Sequence, residues 1–307
     1  MKNIHTAKEL GPGNTKVCLA IGFFDGVHLG HQQIIRQTIA DTRQHGASAL
    51  VVTFDRHPNT VVAPNRVPPL IYSLPRKLRV IEAMGADTLL LIHFDTTFSE
   101  QTGETFIENL ARDLGHVQTL CVGANFTFGH KRSGDVALLR RLGEQLGFAV
   151  HAITAVSHEG NAISSTRIRE AIRAGNLNLA GQMLGRPYSL AGRVVAGDRL
   201  GRQLGYPTAN LDATGLALPP NGVYAAQAVV RDKAYRAVLN IGYRPTLRNS
   251  SPQLRVEAHL LDFESDLYDE EVELAFVEKL RDEMKFASMA ELKEQIARDV
   301  GEARSRL

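Results

Sequence analysis

The 307-residue sequence predicts two domains of different class: an α/β domain on a parallel sheet over residues 1–186, and a small antiparallel β domain with a terminal helix over residues 187–307. Three observations carry this. At ~150 residues per domain, the length suggests two. Up to about residue 186, short apolar runs alternate with amphipathic helical segments. That order builds right-handed crossovers and a parallel sheet with helices on both faces. Beyond Tyr188 the runs have β character and turn punctuation, with no helical pattern between them. Antiparallel pairing in a barrel or sandwich follows.

In chain order, the apolar runs Val17–Ile21, Ala49–Phe54, Thr88–Ile92, Thr119–Val122 and Phe148–Val156 are predicted strands. Between them, Gln32–His45, Pro75–Met84, Gly103–Leu114 and Asp135–Leu146 have the 3.6-residue period of amphipathic helices. A short helical segment around Leu177–Leu184 precedes a boundary near Gly185–Tyr188. The second part carries the runs YSLAGRVVAGD, GVYAAQAVV, YRAVLNIG, LRVEAHLLDF and EEVELAFVEKL. In the tail, Met289, Leu292, Ile296 and Val300 stand at helical spacing, with Ser288 as the N-cap. Open parallel sheets bind ligands outside the carboxyl ends of their strands. The loops after Ile21, Phe54, Val122 and Val156 are therefore where chemistry is expected.

Composition narrows the function. With 44% hydrophobic and 22% charged residues, the chain is neither disordered, collagenous nor coiled coil. Its net charge of +2 argues against a nucleic-acid coat and leaves room only for local anion sites. The start, MKNIHTAKELGPGN, has no apolar core that would suggest a secretory signal. No apolar run is long enough to span a bilayer. The two cysteines, Cys18 and Cys121, sit in apolar stretches and read as buried, reduced side chains of a cytoplasmic protein.

The segment Gly22–His31, GFFDGVHLGH, follows a predicted strand and opens a predicted helix. Gly22, Gly26 and Gly30 permit close approach of backbone to a ligand. His28 and His31 are three apart and share one face of the first turn. A helix N-terminus offers unpaired N–H groups and the positive end of a dipole. Two imidazoles there suit a phosphate-rich ligand; surface histidines or part of a metal site are the other readings of the same spacing. At the end of the last strand, ISSTRIR carries a second cradle. Ser164, Ser165 and Thr166 are good N-caps, and Arg167 and Arg169 put guanidinium groups by the helix start. An ordinary capped basic helix has the same pattern.

In the β-rich part, GDRLGRQLGYPTANL, Gly197–Leu211, predicts a flexible glycine-rich loop entering a strand. Thr208 and Asn210 alternate, so on an extended chain they share a face. Their oxygens could coordinate a hard Mg2+ beside ATP phosphates, or simply form a polar strand edge. Alternation puts Arg255, Glu257 and His259 on one face and Leu254, Val256, Ala258 and Leu260 on the other. The first set is a solvated face, or Glu257 is a general base toward a substrate hydroxyl.

Taken together, GFFDGVHLGH, VVTFDRHP, VGANFTFGHKRSGD and ISSTRIR resemble the FMN adenylyltransferase module of bacterial bifunctional riboflavin kinase/FAD synthetases, within the HxGH nucleotidyltransferases. GRQLGYPTANL, NGVYAA, NIGYRPTL, VEAHLLDF and KLRDEMKF resemble the riboflavin kinase module. The resemblance implies a Rossmann-like nucleotidyltransferase domain and a small antiparallel β-barrel with a terminal helix. It implies ATP and the flavins riboflavin, FMN and FAD as substrates and products, a divalent cation, most simply Mg2+, and no nucleic-acid or membrane partner. Self-association stays open. In the first module it implies that His28 and His31 hold the ATP phosphates within a loop lined by Gly22, Phe24, Asp25, Gly26 and Gly30. Ser164, Ser165, Thr166 and Arg169 would hold the leaving pyrophosphate, and Asn125 the flavin-phosphate side. In the second module it implies Thr208 and Asn210 as cation ligands, and Glu257 as the base that activates the ribityl 5′-hydroxyl. The loop with Gly201 and Gly205 would close over the nucleotide, with Arg281 and Phe286 on the flavin side. The sequence departs from the pattern at Arg56, Thr127 and Asp269, the last at a place where an Asp tolerates a left-handed turn. Three other readings stay open at this level: an aminoacyl-tRNA synthetase-like adenylating domain, a chain with one live module, and a flavin carrier without turnover.

Overall fold

The computed structural model describes residues 1–10, 16–197, 200–244 and 253–307, without the side chains of Arg244 and Gln253. Part of the NIGYRPTL motif, and Asp198 and Arg199 of the glycine-rich loop, lie outside the described residues. The chain forms two compact units, Met1–Leu70 with Leu74–Arg167, and Ile71–Ser73 with Ile168–Leu307.

The first unit runs β1 (Lys2–Ile4), β2 (Lys16–Ile21), α1 (Leu29–His45), β3 (Ser48–Phe54), α2 (Asn59–Val62), α3 (Leu74–Ala83) and β4 (Thr88–Ile92). It continues through α4 (Thr96–Ser99), α5 (Gly103–Leu114), β5 (His116–Gly123), α6 (Val136–Leu146), β6 (Ala149–Ile153) and the small hairpin of β7 (Ser157–His158) and β8 (Asn161–Ala162). Six strands pair in the order β1-β4-β3-β2-β5-β6, all parallel. The predicted parallel sheet is present, and four helices match their predicted spans to within a few residues. Sequence reading missed β1, because three residues of mixed polarity show no period. It forms because Ile4 is buried and its backbone pairs with β4 through Asn3↔Leu89.

From β2 the chain steps to β3 and β4 on one side, then returns to place β5 on the other. The switch point of this sheet is therefore the crevice at the carboxyl ends of β2 and β5. Leu19, Ile21, Val52, Leu120 and Val122 of the central strands pack against Phe106, Ile107 and Leu110 of α5 and Leu139 and Leu142 of α6. That core holds the strand ends rigid beneath the loops that follow them.

The second unit contains most of α7 (Ser165–Arg173), then α8 (Leu177–Leu184), β9 (Ser189–Val195), α9 (Leu200–Leu204), β10 (Ala209–Leu211), β11 (Gly222–Val230) and β12 (Lys233–Arg244). β13 (Gln253–Leu260), β14 (Glu271–Arg281) and α10 (Met289–Arg306) complete it. Its strands close into a barrel in the order β10-β13-β12-β11-β14-β9, every neighbour antiparallel. Of barrel and sandwich, the structure takes the barrel. The β11–β12 hairpin turns on Arg231 and Asp232, both at positive φ (48° and 62°), the geometry that matches strand twist. Asp269 stands at φ 63°, so the left-handed turn expected there is present.

The glycine-rich segment differs from its expectation. Leu200–Leu204 is a short helix rather than irregular loop. Leu-Gly-Arg-Gln-Leu contains good helix formers, Leu204 is buried, and Gly205 at φ 89° ends the turn. α10 starts at the predicted Ser288 cap, whose side chain accepts from Glu291 N at 3.2 Å. Of its predicted stripe, Leu292, Ile296 and Val300 are half-buried and Met289 is exposed; Asp299 and Ala303 are buried more deeply, Ala303 with Val300 against Val223, Ala225 and Val238.

Candidate active sites

The loop Gly22–His28 leaves β2 at the switch point and is strained. Phe24 and the β-branched Val27 both adopt left-handed backbone, φ 54° and 40°. Such residues persist only where surrounding structure over-determines them, and they cluster at functional sites. Here several bonds hold the loop. Thr53 Oγ1 donates to Phe23 O (3.0 Å), Gln32 Nε2 to Val27 O (2.9 Å), and Ser165 Oγ to Asp25 O (3.1 Å). Gly22 is required by packing, since a Cβ there would lie 2.8 Å from the Phe24 ring.

His28 is the N-cap of α1. Its Nδ1 accepts from His31 N at 3.3 Å, which leaves Nε2 as the position for the proton. The two imidazoles stack with centroids 3.6 Å apart, and the Phe24 ring meets His31 edge-on at 5.3 Å. Burial, and then the charges of His28 and Lys77, hold His31 well below the usual imidazole range. Its Nδ1 is buried with no hydrogen-bond partner among the described residues. A stacked pair at a helix N-terminus, with one ring nitrogen unsatisfied, is a polar cradle suited to an oxyanion.

Ser165 brings the second sequence signal to this loop from 140 residues away. Of the predicted caps, Ser164 performs the capping, accepting from Arg167 N at 3.3 Å, and Thr166 is exposed. Arg167 turns back to the carbonyls of Asn161 (2.9 Å) and Ala162 (3.0 Å), whereas Arg169 is buried four residues beyond Ser165 on the same helix. Asn125 is exposed in the turn that follows β5. Arg56 pairs with Asp55 at 3.1 Å, and the same carboxylate meets His93 Nδ1 at 2.7 Å.

Lys77 was missed. It lies at an apolar position of α3, beside Val80 and Ile81, and is 4% exposed. A lysine breaking the apolar stripe of an amphipathic helix is the signal that could have found it. Its Nζ donates to Phe54 O (2.9 Å), Phe23 O (3.2 Å) and Thr53 Oγ1 (3.2 Å), tying the strained loop to the end of β3. Burial lowers its pKa to about 8, although Asp25 and then Asp55 pull it upward.

The barrel carries the second set of candidate residues. Asn210 on β10 lies directly opposite Glu257 on β13, and Glu257 directly opposite Asn240 on β12. Val256, Ala258 and Leu260 are buried inside and Glu257 is half-buried on the other side, so the predicted alternation holds there, whereas Leu254, near the start of β13, is exposed. Asn240 was also missed; only pairing across strands makes it a neighbour of Glu257. Gly197 closes over this row, since a Cβ there would overlap the Asn210 amide. A Cβ at Gly201 would overlap Tyr206 O and lie 3.2 Å from Thr208 Oγ1. Beside the exposed Thr208 is a cleft of about 340 Å³ lined by Arg202, Pro207, Phe263, Asp266 and Tyr268. That is the size of a small-ligand pocket.

Arg281 ends β14 opposite Val223 of β11, which in turn stands opposite Asn240, and Phe286 follows it in the chain. The Arg281 guanidinium forks onto Asp299 of α10 at 2.9 and 2.7 Å and lies 6.0 Å from the Phe286 ring centroid. Gln295 Nε2 also donates to Asp299, at 2.8 Å. This pair anchors the terminal helix.

Comparison with known proteins matches the chain to the FAD synthetase family over residues 12–167 and to the riboflavin kinase family over residues 184–307. It is 38% identical to the bifunctional riboflavin kinase/FMN adenylyltransferase of Escherichia coli (strain K12), over 97% of this chain and 96% of that protein. It is 36% identical to the protein of the same description from Haemophilus influenzae, over 99% and 98%. A crystal structure described as a macrolide-efflux protein from Streptococcus pneumoniae has the same fold, with TM-score 0.82, 29% identity and 99% of each chain covered. Among the described residues, no helix is long and apolar enough to cross a membrane.

Proposed function

The chain belongs to the family of bifunctional riboflavin kinases/FMN adenylyltransferases, and from that premise we propose which of its residues run the two reactions. The protein is an enzyme: it phosphorylates riboflavin to FMN with ATP, and adenylylates FMN with a second ATP to give FAD and pyrophosphate.

In our reading, adenylylation takes place at the carboxyl ends of β2 and β5. The FMN phosphate attacks the α-phosphate of ATP and pyrophosphate leaves, so no protein nucleophile is needed. Transfer of this kind is driven by positioning and by stabilising charge on the equatorial oxygens. His28 donates from Nε2, and the start of α1 supplies N–H groups. His31, neutral in the free site, gains from a nearby polyphosphate the negative charge that favours its protonation. Gly22, Phe24, Asp25, Gly26 and Gly30 shape the loop around the nucleotide. Ser164, Ser165, Thr166 and Arg169 take the pyrophosphate, and Asn125 the FMN side. The observation that carries this reading is the Ser165–Asp25 hydrogen bond, which sets two candidate anion cradles side by side.

In the barrel, we assign Glu257 as the base that accepts the proton of the ribityl 5′-hydroxyl as its oxygen attacks the γ-phosphate and ADP leaves. Thr208 and Asn210 offer the hard oxygen donors that Mg2+ prefers, and Glu257 stands next to Asn210, so the residues fit such an ion. Bound there, Mg2+ would neutralise polyphosphate charge. The cleft beside Thr208 takes the nucleotide of ATP, with Gly201 and Gly205 shaping the segment over it. Arg281 fixes α10 and with it the flavin-side segment around Phe286.

We place the functional division at residues 1–186 and 187–307, supported by Gly185 at φ 71°, which ends α8 just before the barrel begins. The near-neutral charge and the free thiols of Cys18 and Cys121 support work in the cytoplasm on small molecules, without nucleic acid or membrane. Self-association is a matter for sedimentation. Chromatography of products from pure protein, riboflavin, ATP and magnesium tests the whole reading: FMN and FAD should appear in turn. Unchanged FAD formation from FMN in His28→Ala would remove the first site, and unchanged FMN formation in Glu257→Gln the second.

A further inference from the structure

Apart from both candidate active sites, three metal-ligating side chains of the first unit meet at one point. Cys121 on β5 and His151 on β6 are register partners in a parallel pair, so both project from the same face of the sheet. Asp41 of α1 packs onto that face, thirteen residues beyond His28 and so roughly 20 Å along the helix from the cradle at its start. Asp41 Oδ2 lies 3.0 Å from His151 Nδ1 and 3.4 Å from Cys121 Sγ, and Sγ lies 3.9 Å from Nδ1.

These edges lie within about 0.4 Å of the donor triangle of a tetrahedral ion. Bonds of about 2.0–2.1 Å to nitrogen and oxygen and about 2.3 Å to sulfur place N and O about 3.3 Å apart, and S about 3.5 Å from each. Asp41 is 3% exposed and Cys121 fully buried, whereas the His151 side chain is 38% exposed, so the fourth position faces the open side. Gln37 Nε2 donates to the other carboxylate oxygen of Asp41 at 2.7 Å, the supporting contact that orients a metal-binding carboxylate. One carboxylate, one thiolate and one neutral imidazole balance a divalent cation, so the loaded site is electrically neutral where a bare charge would be costly.

We propose that Asp41, Cys121 and His151 form a binding site for a thiophilic divalent ion of the zinc class, which clips α1 to β5 and β6. On binding, the Cys121 sulfur–hydrogen bond breaks, the sulfur–metal bond forms, and the proton leaves to solvent with no change of oxidation state. The mixed sulfur, nitrogen and oxygen donors select against Mg2+, so this site is chemically separate from any cation that accompanies ATP.

Cobalt(II) titration of the metal-free full-length protein tests this, because a cobalt–thiolate bond has its own charge-transfer absorption and the chain has only two cysteines. The expected result is that band at one equivalent per chain, retained in Cys18→Ser and in excess Mg2+, displaced by Zn2+, and lost in Cys121→Ser. Should Cys121→Ser unfold by circular dichroism, His151→Gln decides, because its half-exposed ring can be replaced without opening the core. It should bind cobalt at least about ten-fold more weakly. Absence of the band, its survival in Cys121→Ser, or unaltered affinity in His151→Gln would each overturn the site.

Discussion

Lys77 shows how a single buried charge can position a strained loop it does not belong to. Its three acceptors are two carbonyls and one hydroxyl at the ends of β2 and β3. A Lys77→Met variant keeps the volume and loses all three bonds. Its adenylylation kcat/KM is expected to fall at least about ten-fold, with FMN formation retained, in separate assays from FMN and from riboflavin. At His31 the sign of the pH effect follows from its lowered pKa. The unfolded chain protonates this ring near pH ~6.5, whereas the folded chain does so only at lower pH. Below that value the unfolded state binds more protons, so stability falls as pH drops. His31→Asn is therefore expected to flatten the acid limb of unfolding midpoint against pH and to lower adenylylation by about 10²–10³-fold. An acid limb identical to that of the parent would count against the burial of His31. In the barrel, Glu257→Gln should reduce riboflavin phosphorylation by about 10²–10⁴-fold while FMN adenylylation continues.

At the scale of elements, the most buried of the ion pairs that tie the terminal helix to the barrel is Arg281–Asp299. Arg281 and Asp299 are bidentate and largely buried, with side-chain exposures of 19% and 5%. Removing one partner strands the other, at a typical cost of about 3–5 kcal/mol. Asp299→Ala is expected to lower the unfolding free energy of the barrel by that amount, read by urea titration. A shift near zero would mean that the apolar contacts of Ala303, Val300 and Leu307, with the outer pairs Arg304–Asp262 and Arg306–Glu278, hold α10 without it. The helix periodicity was legible in the sequence, but the Asp299 contact was not: an acidic residue one position off the apolar stripe looks solvated until its partner strand is placed.

For the whole molecule, the division of labour follows the two compact units, but the chain does not divide cleanly. Ile71–Ser73 groups with the barrel unit, where the Tyr72 ring lies parallel to Tyr188 at 6.5 Å and under the Arg186 guanidinium at 5.2 Å. A fragment of residues 187–307 lacks this cover. It is expected to phosphorylate riboflavin, yet to melt below the corresponding transition of the full chain. Equal melting temperatures by calorimetry would remove the role given to Tyr72.

Much of this was determined by sequence alone. The alternation of strands and helices, the change to β character after Tyr188, the cap at Ser288 and the two motif sets are local patterns, and local patterns are readable residue by residue. Thr208, Asn210, Glu257, His28 and His31 stand as candidates in the sequence because their motifs resemble the two family modules; spacing by itself left each open. Tertiary structure alone decided which distant residues meet: Ser165 on the Asp25 carbonyl, Asn240 opposite Glu257, Lys77 beneath the strained loop, and Asp41 with Cys121 and His151. It also chose barrel over sandwich. The physical reason is the same throughout. Periodicity records which face of an element is apolar, whereas strand register and sheet order, set by the packing of the whole unit, determine which faces come together.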